Sequence, residues 1–232
     1  MEEPERLALG CDPLDEMLNG GIEAGVITNV YGRSGTGKTN VCIQAIVSCL
    51  NQGGKALFVD TEGGFSVERF LQVYDDREAL ERLVLMEPTS FEEQKEVFDD
   101  LEEVVEEQDI DLVVVDSLVA LYRLRLKDED ASETNRELSR QLSILSRIAR
   151  QRDIPVLVTN QVYSSFESEE VQMVGRDVPT YWSKCLIRLE ESDNPRRAVL
   201  RKHRSRPEGD SSEFVIASEG LQAADGEPTH LF

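Results

Sequence analysis

Lysine is scarce in this chain. Only 6 of its 25 basic residues are lysine and the other 19 are arginine, set against 46 aspartates and glutamates, for a formal net charge of -21. Such a surface repels itself at low salt and repels nucleic acid at long range. Two settings relieve it. Concentrated salt shrinks the Debye length to about 3 Å at 1 M, which points to a halophilic host; a basic partner would do the same locally. Cysteine and histidine are sparse too. Cys11, Cys42, Cys49 and Cys185 form no C-x-x-C pair, and His203 and His230 have no ligand cluster around them. That pattern excludes a disulfide framework and a zinc site and leaves reduced thiols. No apolar run approaches the ~18 residues of a membrane span. The acidic start Met1-Glu2-Glu3-Pro4-Glu5 has no apolar stretch of a secretory signal. The expectation is a cytoplasmic protein with no membrane partner. No repeat and no Pro/Gly/Ser-rich linker divides the chain, so residues 1–232 read as one domain.

What is present is an alternation of strand and helix patterns. Val26 to Tyr31 is a β-rich run ending in glycine, and a helical segment follows from Lys38 to about Leu50, stopped by Gly53-Gly54. Ala56 to Asp60 and Leu83 to Met86 read as strands. Ser90-x-x-Glu93 reads as a capping box. It opens a helix with Val97, Phe98, Leu101, Val104 and Val105 on one face and a solvated acidic face opposite. Leu112 to Asp116 is a continuous apolar strand of the kind buried on both faces in a parallel sheet. A helix from about Ser132 to Gln151 and a strand from Pro155 to Thr159 follow. The segments Cys185 to Glu190, Arg197 to Arg201 and Glu213 to Ala217 read as a small antiparallel extension. The fold class expected is α/β, a mostly parallel central sheet with a short C-terminal antiparallel addition.

The chemistry is concentrated in Gly32-Arg33-Ser34-Gly35-Thr36-Gly37-Lys38-Thr39, which fits the phosphate-loop pattern G-x-x-x-x-G-K-[ST] in full. Glycines let successive backbone N–H groups turn toward phosphate oxygens, and the helix opening at Lys38 adds its positive end. Lys38 then reaches the β- and γ-phosphates, and Thr39 offers its hydroxyl to Mg²⁺. The implied cofactors are ATP and Mg²⁺. Asp116 ends an apolar strand, where a carboxylate can hold the metal. Glu62 follows another strand end; it can polarise the attacking water or sit as a solvated loop residue. Asn160-Gln161 follows a third, where a neutral amide can touch the γ-phosphate or simply cap the loop.

Taken in order, Leu14-Asp15-x-x-Leu18-x-Gly20-Gly21-Ile22-x-x-Gly25, the phosphate loop, Asp60-Thr61-Glu62-Gly63, Asp116-Ser117 and Thr159-Asn160-Gln161-Val162 resemble the archaeal and eukaryotic branch of the RecA recombinases. The likeness runs over nearly the whole chain. It is greatest to an archaeal paralogue of the recombinase, since the core begins by residue 7 without an N-terminal helical DNA-binding domain or an F-x-x-A motif. The resemblance implies a RecA-like P-loop core. It makes Glu62 the catalytic glutamate and Gln161 the link between γ-phosphate and a DNA loop. It also makes Arg69 an arginine stacking on adenine. Lys202 and Arg204, in a K-x-R pattern shared with relatives of KaiC, become trans-acting fingers on a neighbour's γ-phosphate; a basic turn before Pro207 is the alternative.

The family's DNA loops fall near Arg123 to Glu133, with Arg123, Arg125 and Lys127, and near Tyr163 to Val178, where Arg176 is the only basic residue. The second loop is acidic, a poor groove for a phosphate backbone. Tyr163, Phe166 or Trp182 can stack on a base, though Tyr181-Trp182 also suits packing. The expectation is weak, salt-sensitive DNA binding without strand exchange, and a slow ATPase indifferent to DNA. That describes an accessory to recombination and repair, partnered with the main recombinase or a junction-processing protein. An autonomous minimal recombinase and a KaiC-like regulatory ATPase acting on protein are the other readings.

Overall fold

The apolar runs form the middle of a ten-stranded sheet in the computed structural model, which describes residues 4–126, 131–164, 171–175, 177–190 and 194–224. The entry is a two-stranded pair, β1 (Arg6–Leu7) and β2 (Ile22–Glu23), flanking α1 (Asp12–Met17). Asp15 shapes this entry: its carboxylate accepts the backbone N–H groups of Leu9, Gly10 and Cys11 at 2.7, 2.9 and 3.2 Å. Then β and α alternate: β3 (Ile27–Gly32), α2 (Lys38–Asn51), β4 (Ala56–Asp60), α3 (Val67–Val73), β5 (Leu83–Met86), α4 (Phe91–Glu107), β6 (Leu112–Asp116), α5 (Ala120–Arg125), α6 (Ala131–Arg152) and β7 (Val156–Ser164). The chain continues through β8 (Val171–Met173), α7 (Asp177–Trp182), β9 (Cys185–Glu190), β10 (Arg196–Lys202), β11 (Ser211–Ala217) and β12 (Gly220–Ala223).

The strand order is β12-β11-β10-β9-β3-β7-β6-β4-β5, with β8 paired to β7 off this path. From β9 to β5 every pairing is parallel; from β9 to β12 every pairing is antiparallel. This corrects the sequence reading of the tail in one respect. The segment Cys185 to Glu190 belongs to the parallel core, in register with Thr28 to Gly32 of β3. Leu186, Ile187 and Leu189 are all buried, so both faces of this strand are covered, as for an inner strand. The antiparallel extension is β10 to β12, and β12 was not anticipated.

Side chains on a strand alternate between faces, and the core divides accordingly. Ala56, Phe58, Val114 and Leu157 pack with Ile46 and Leu50 of α2 on one side. Leu57, Val59, Val113, Val115 and Val158 pack with Phe98 and Leu101 of α4 and Leu142 and Leu145 of α6 on the other. At the start of α4 the Ser90 hydroxyl accepts the Glu93 N–H at 3.1 Å, as a capping box requires. The reciprocal bond lands one residue early. The Glu93 carboxylate accepts from the Thr89 N–H and hydroxyl at 2.7 and 2.8 Å, which holds its pKa below the usual value. The acidic face of α4 is also less solvated than its sequence suggests. Asp99 pairs with Arg140 at 2.7 Å, and Glu102 pairs with Arg147 of the neighbouring α6. All four cysteines are buried free thiols, and no described helix is long and apolar enough to cross a membrane.

Phe98 is fully buried between α4 and the sheet. Phe98→Ala should lower unfolding free energy by about 3–5 kcal/mol, the usual loss for a core aromatic, read from the urea midpoint.

Candidate nucleotide site

The site lies at the C-terminal edge of the parallel strands, where ligands sit in open α/β sheets. β3 ends at Gly32, against β9: a Cβ there would come within 2.6 Å of the Leu189 carbonyl oxygen. At Gly37 the backbone is left-handed (φ 102°), and a Cβ would meet the Ile216 side chain at 2.6 Å. Both positions require glycine. α2 then begins at Lys38 with no side-chain cap and no acidic residue in its first turn. Among the described residues no side chain caps this end of the helix, which suits an anionic ligand. Lys38 folds back over the loop, its ammonium donating to the carbonyls of Gly32 and Arg33 at 3.2 and 2.9 Å. Burial lowers its pKa, while Asp116 and Glu62 pull it up. Arg196 of β10 donates to the Gly35 carbonyl at 2.5 Å and braces the loop from outside.

Thr39 and Asp116 meet directly, the hydroxyl donating to Oδ2 at 2.6 Å. The Thr159 hydroxyl, on the adjacent β7, donates to Oδ1. Asp116 is 2% exposed, and burial raises its pKa against the pull of these two bonds. A hydroxyl beside a buried carboxylate is an oxygen donor set for a hard cation such as Mg²⁺. The residues fit the cofactors that the phosphate loop implies.

Glu62 is held by its own loop. Asp60 at the end of β4 accepts the N–H groups of Glu62, Gly64 and Phe65 at 3.1, 3.2 and 2.8 Å. Thr61 ties the loop to β6 by donating to the Ser117 carbonyl at 2.7 Å and accepting its N–H at 3.0 Å. The Glu62 Oε1 then accepts from the Ser117 hydroxyl at 2.5 Å and the Gln161 amide at 2.8 Å. Gln161 Oε1 in turn accepts from the Arg123 guanidinium. Glu62 is exposed, as a loop residue would be, yet it is tethered beside Asp116 and Gln161 rather than free in solvent. A cavity of about 380 Å³ opens here, lined by Thr61, Glu62, Ala120, Leu121, Arg123, Leu124 and Gln161. A larger one of about 470 Å³, at the opposite end of the strands around Gly53, Gly54 and Pro155, holds none of these groups.

The structure thus brings Lys38, Thr39, Asp116, Glu62 and Gln161 to one edge. Arg69 stands on the same side with its donors spent in one plane, to Asn40 at 3.0 Å, Gln72 at 3.2 Å and the carbonyls of Ala217 and Ser218 at 2.8 Å each. A guanidinium held by its rim keeps a flat face for a base. Lys202 and Arg204 are not part of this chain's own site. Lys202 ends β10 and Arg204 follows it, roughly 20 Å or more from Arg196 at 3.3 Å per residue. Lys202 donates to the Thr180 carbonyl at 2.8 Å, and Arg204 pairs with Glu23 at 2.8 Å. Of the expected DNA contacts, Arg123 is engaged by Gln161 and Arg125 by Glu92 at 2.7 Å. Lys127 and Arg176 lie outside the described residues, as does Phe166. Trp182 packs against the core and its indole N–H reaches Ser139 at 3.4 Å, while Tyr181 is 73% exposed. Sequence reasoning quoted Asp60, Ser117 and Thr159 within motifs but gave them no role, and it missed Arg196. The first three adjoin motif residues as hydroxyls or carboxylates at strand ends, a readable signal. Arg196 is brought in only by the extension.

Fold and site together define a RecA-like P-loop domain. The profile of the family described as Rad51 matches residues 3–222, and the chain belongs to that family. Within it the similarity is to the archaeal paralogues anticipated from sequence. It is 44% identical to the DNA repair and recombination protein RadB of Methanococcoides burtonii, over 94% of this chain and 98% of that one. To RadB of Methanobrevibacter smithii it is 41% identical, over 90% and 92%. A crystal structure of the RadB recombinase superposes with TM-score 0.80 at 38% identity, covering 94% and 99% of the two chains.

A buried carboxylate without its metal is costly, and the raised pKa of Asp116 gives the sign. The folded state holds the proton more tightly than the unfolded one, so stability falls as pH rises from the ordinary aspartate range through the raised value. Asp116→Asn should therefore melt at higher temperature than wild type in EDTA at neutral pH, and gain less than wild type when Mg-ATP is added. Scanning calorimetry checks both.

Proposed function

We propose that the chain binds Mg-ATP at this edge and serves DNA recombination and repair, inside the cytoplasm, as an accessory ATPase. Its hydrolysis is slow, its DNA binding weak and salt-sensitive, and it performs no strand exchange alone. The observation that carries this reading is the division of the site. The residues that act within one chain are assembled, whereas Lys202 and Arg204 are bonded to Thr180 and Glu23. The names of the RadB relatives, DNA repair and recombination proteins, supply the setting.

The chain's groups divide the work. The loop N–H groups and the first turn of α2 take the phosphates, and Lys38 leaves the Gly32 and Arg33 carbonyls for the β- and γ-oxygens. Thr39 and Asp116 would hold Mg²⁺, which when bound neutralises charge on the phosphate oxygens. Glu62 orients a water in line with the γ-phosphate and takes its proton. The Gln161 amide contacts the γ-phosphate, and Arg69 offers its face to adenine. A trans finger is worth ~10³ or more in rate, so an unassembled chain turns over slowly and ATP acts chiefly as an ordering ligand.

DNA contacts on the first loop must compete with existing bonds, since Arg125 is paired with Glu92. Lys127 and Arg176 complete the basic set. With a net charge of -21, affinity for single-stranded DNA should be low and fall steeply with KCl. The partner is the main recombinase or a junction-processing protein.

Lys38→Ala should abolish ATP binding, measured by titration of a fluorescent ATP analogue. Glu62→Gln should keep that binding and lose hydrolysis. Steady-state hydrolysis by wild type should be slow and indifferent to single-stranded DNA across a KCl series. Strong stimulation by DNA would instead make the chain an autonomous recombinase, and unchanged affinity in Lys38→Ala would displace the site.

A further inference from the structure

Arg123 occupies an unexpected place. It lies in the last turn of α5, a helix fixed by buried Leu121 and Tyr122, with the Tyr122 hydroxyl donating to Asn135 at 2.7 Å. From there its guanidinium, itself solvent-exposed, donates to the Gln161 side-chain oxygen. A side-chain amide has one acceptor end and one donor end. Holding the oxygen toward Arg123 turns the NH₂ toward Glu62, where it donates at 2.8 Å. A charged donor on the carbonyl strengthens the amide's own donation, because hydrogen bonds in series polarise one another. Ser117 donates to the same Glu62 oxygen at 2.5 Å. One of the two Glu62 oxygens, Oε1, therefore already accepts two hydrogen bonds.

We propose that Arg123 is a positioning residue of the ATP site: it latches Gln161 onto Glu62 and keeps the glutamate idle. This rests on the reading of Glu62 as the base. Without the latch, the Gln161 amide can rotate, releasing the Glu62 oxygen for water and its own NH₂ for the γ-phosphate. The guanidinium acts only through Gln161 and touches neither nucleotide nor water. A DNA phosphate would have to compete with Gln161 for it.

The test uses the full chain and Mg-ATP, comparing wild type, Arg123→Ala, Arg123→Lys, Gln161→Ala and the Arg123→Ala/Gln161→Ala double variant. Arg123→Ala should raise kcat roughly three- to tenfold, the scale of one ordinary solvent-exposed hydrogen bond, with KM for ATP unchanged. Arg123→Lys should return the rate toward wild type. In the Gln161→Ala background, Arg123→Ala should change nothing, as a residue acting through Gln161 must. Binding of a labelled single-stranded oligonucleotide should be unaffected by Arg123→Ala. The latch is overturned if Arg123→Ala leaves kcat unchanged or lowers it, if its effect persists without Gln161, or if it weakens oligonucleotide binding instead. If neither wild type nor Arg123→Ala hydrolyses the ATP that both bind, the assignment of Glu62 falls and the latch with it. Hydrolysis by wild type with no change in Arg123→Ala removes the latch alone.

Discussion

The buried carboxylate of Asp116 is the constraint around which the site is arranged. It ends β6 in the middle of the sheet and is held by hydroxyls from two other elements, Thr39 of α2 and Thr159 of β7. A carboxylate so deep must be hydrogen-bonded or bound to a cation. Satisfying it fixes the first turn of α2 against the sheet, which places Lys38 over the phosphate loop. It also sets the neighbouring residues: Ser117 turns to Glu62, and two residues past Thr159 comes Gln161. One desolvated charge thus ties the phosphate loop, the base and the amide to a common edge.

The C-terminal extension completes the arrangement from outside. Arg196 braces Gly35, Ile216 presses on Gly37, and Arg69 clamps the carbonyls of Ala217 and Ser218. Gln44 on α2 accepts the Leu221 N–H at 3.1 Å. The preference for arginine over lysine has a structural counterpart here. Arg69 and Arg140 each satisfy more than one acceptor with a planar fork, which the point charge of lysine does less well. In a chain with this excess of carboxylates, many arginines serve as internal ties. Arg123 and Arg125 fit that pattern, engaged by Gln161 and Glu92.

Much of this was readable in advance because it is local. Leu112 to Asp116 is a continuous apolar run ending in a carboxylate, and Gly32 to Thr39 follows a strand and opens a helix. Those patterns carry their own geometry. The pairing of Cys185 to Glu190 with β3 was not readable: a strand buried on both faces looks the same whether its neighbours run parallel or antiparallel. The half-formed capping box at Ser90 depended on a Glu93 rotamer choosing Thr89. The engagement of Arg123 by Gln161, and of Lys202 by Thr180, joins residues far apart in sequence whose approach only the fold sets. Acidic residues on α4 looked uniformly solvated because the arginines that meet them lie on α6.

The central claim, that Thr39 and Asp116 make this a metal-dependent nucleotide site, is tested most directly by isothermal titration calorimetry of ATP into wild type with Mg²⁺ and with EDTA. One ATP per chain is expected, with affinity falling about tenfold or more without Mg²⁺, a loss of ~1.4 kcal/mol or greater. Equal affinity in EDTA, or no binding in Mg²⁺, would contradict it.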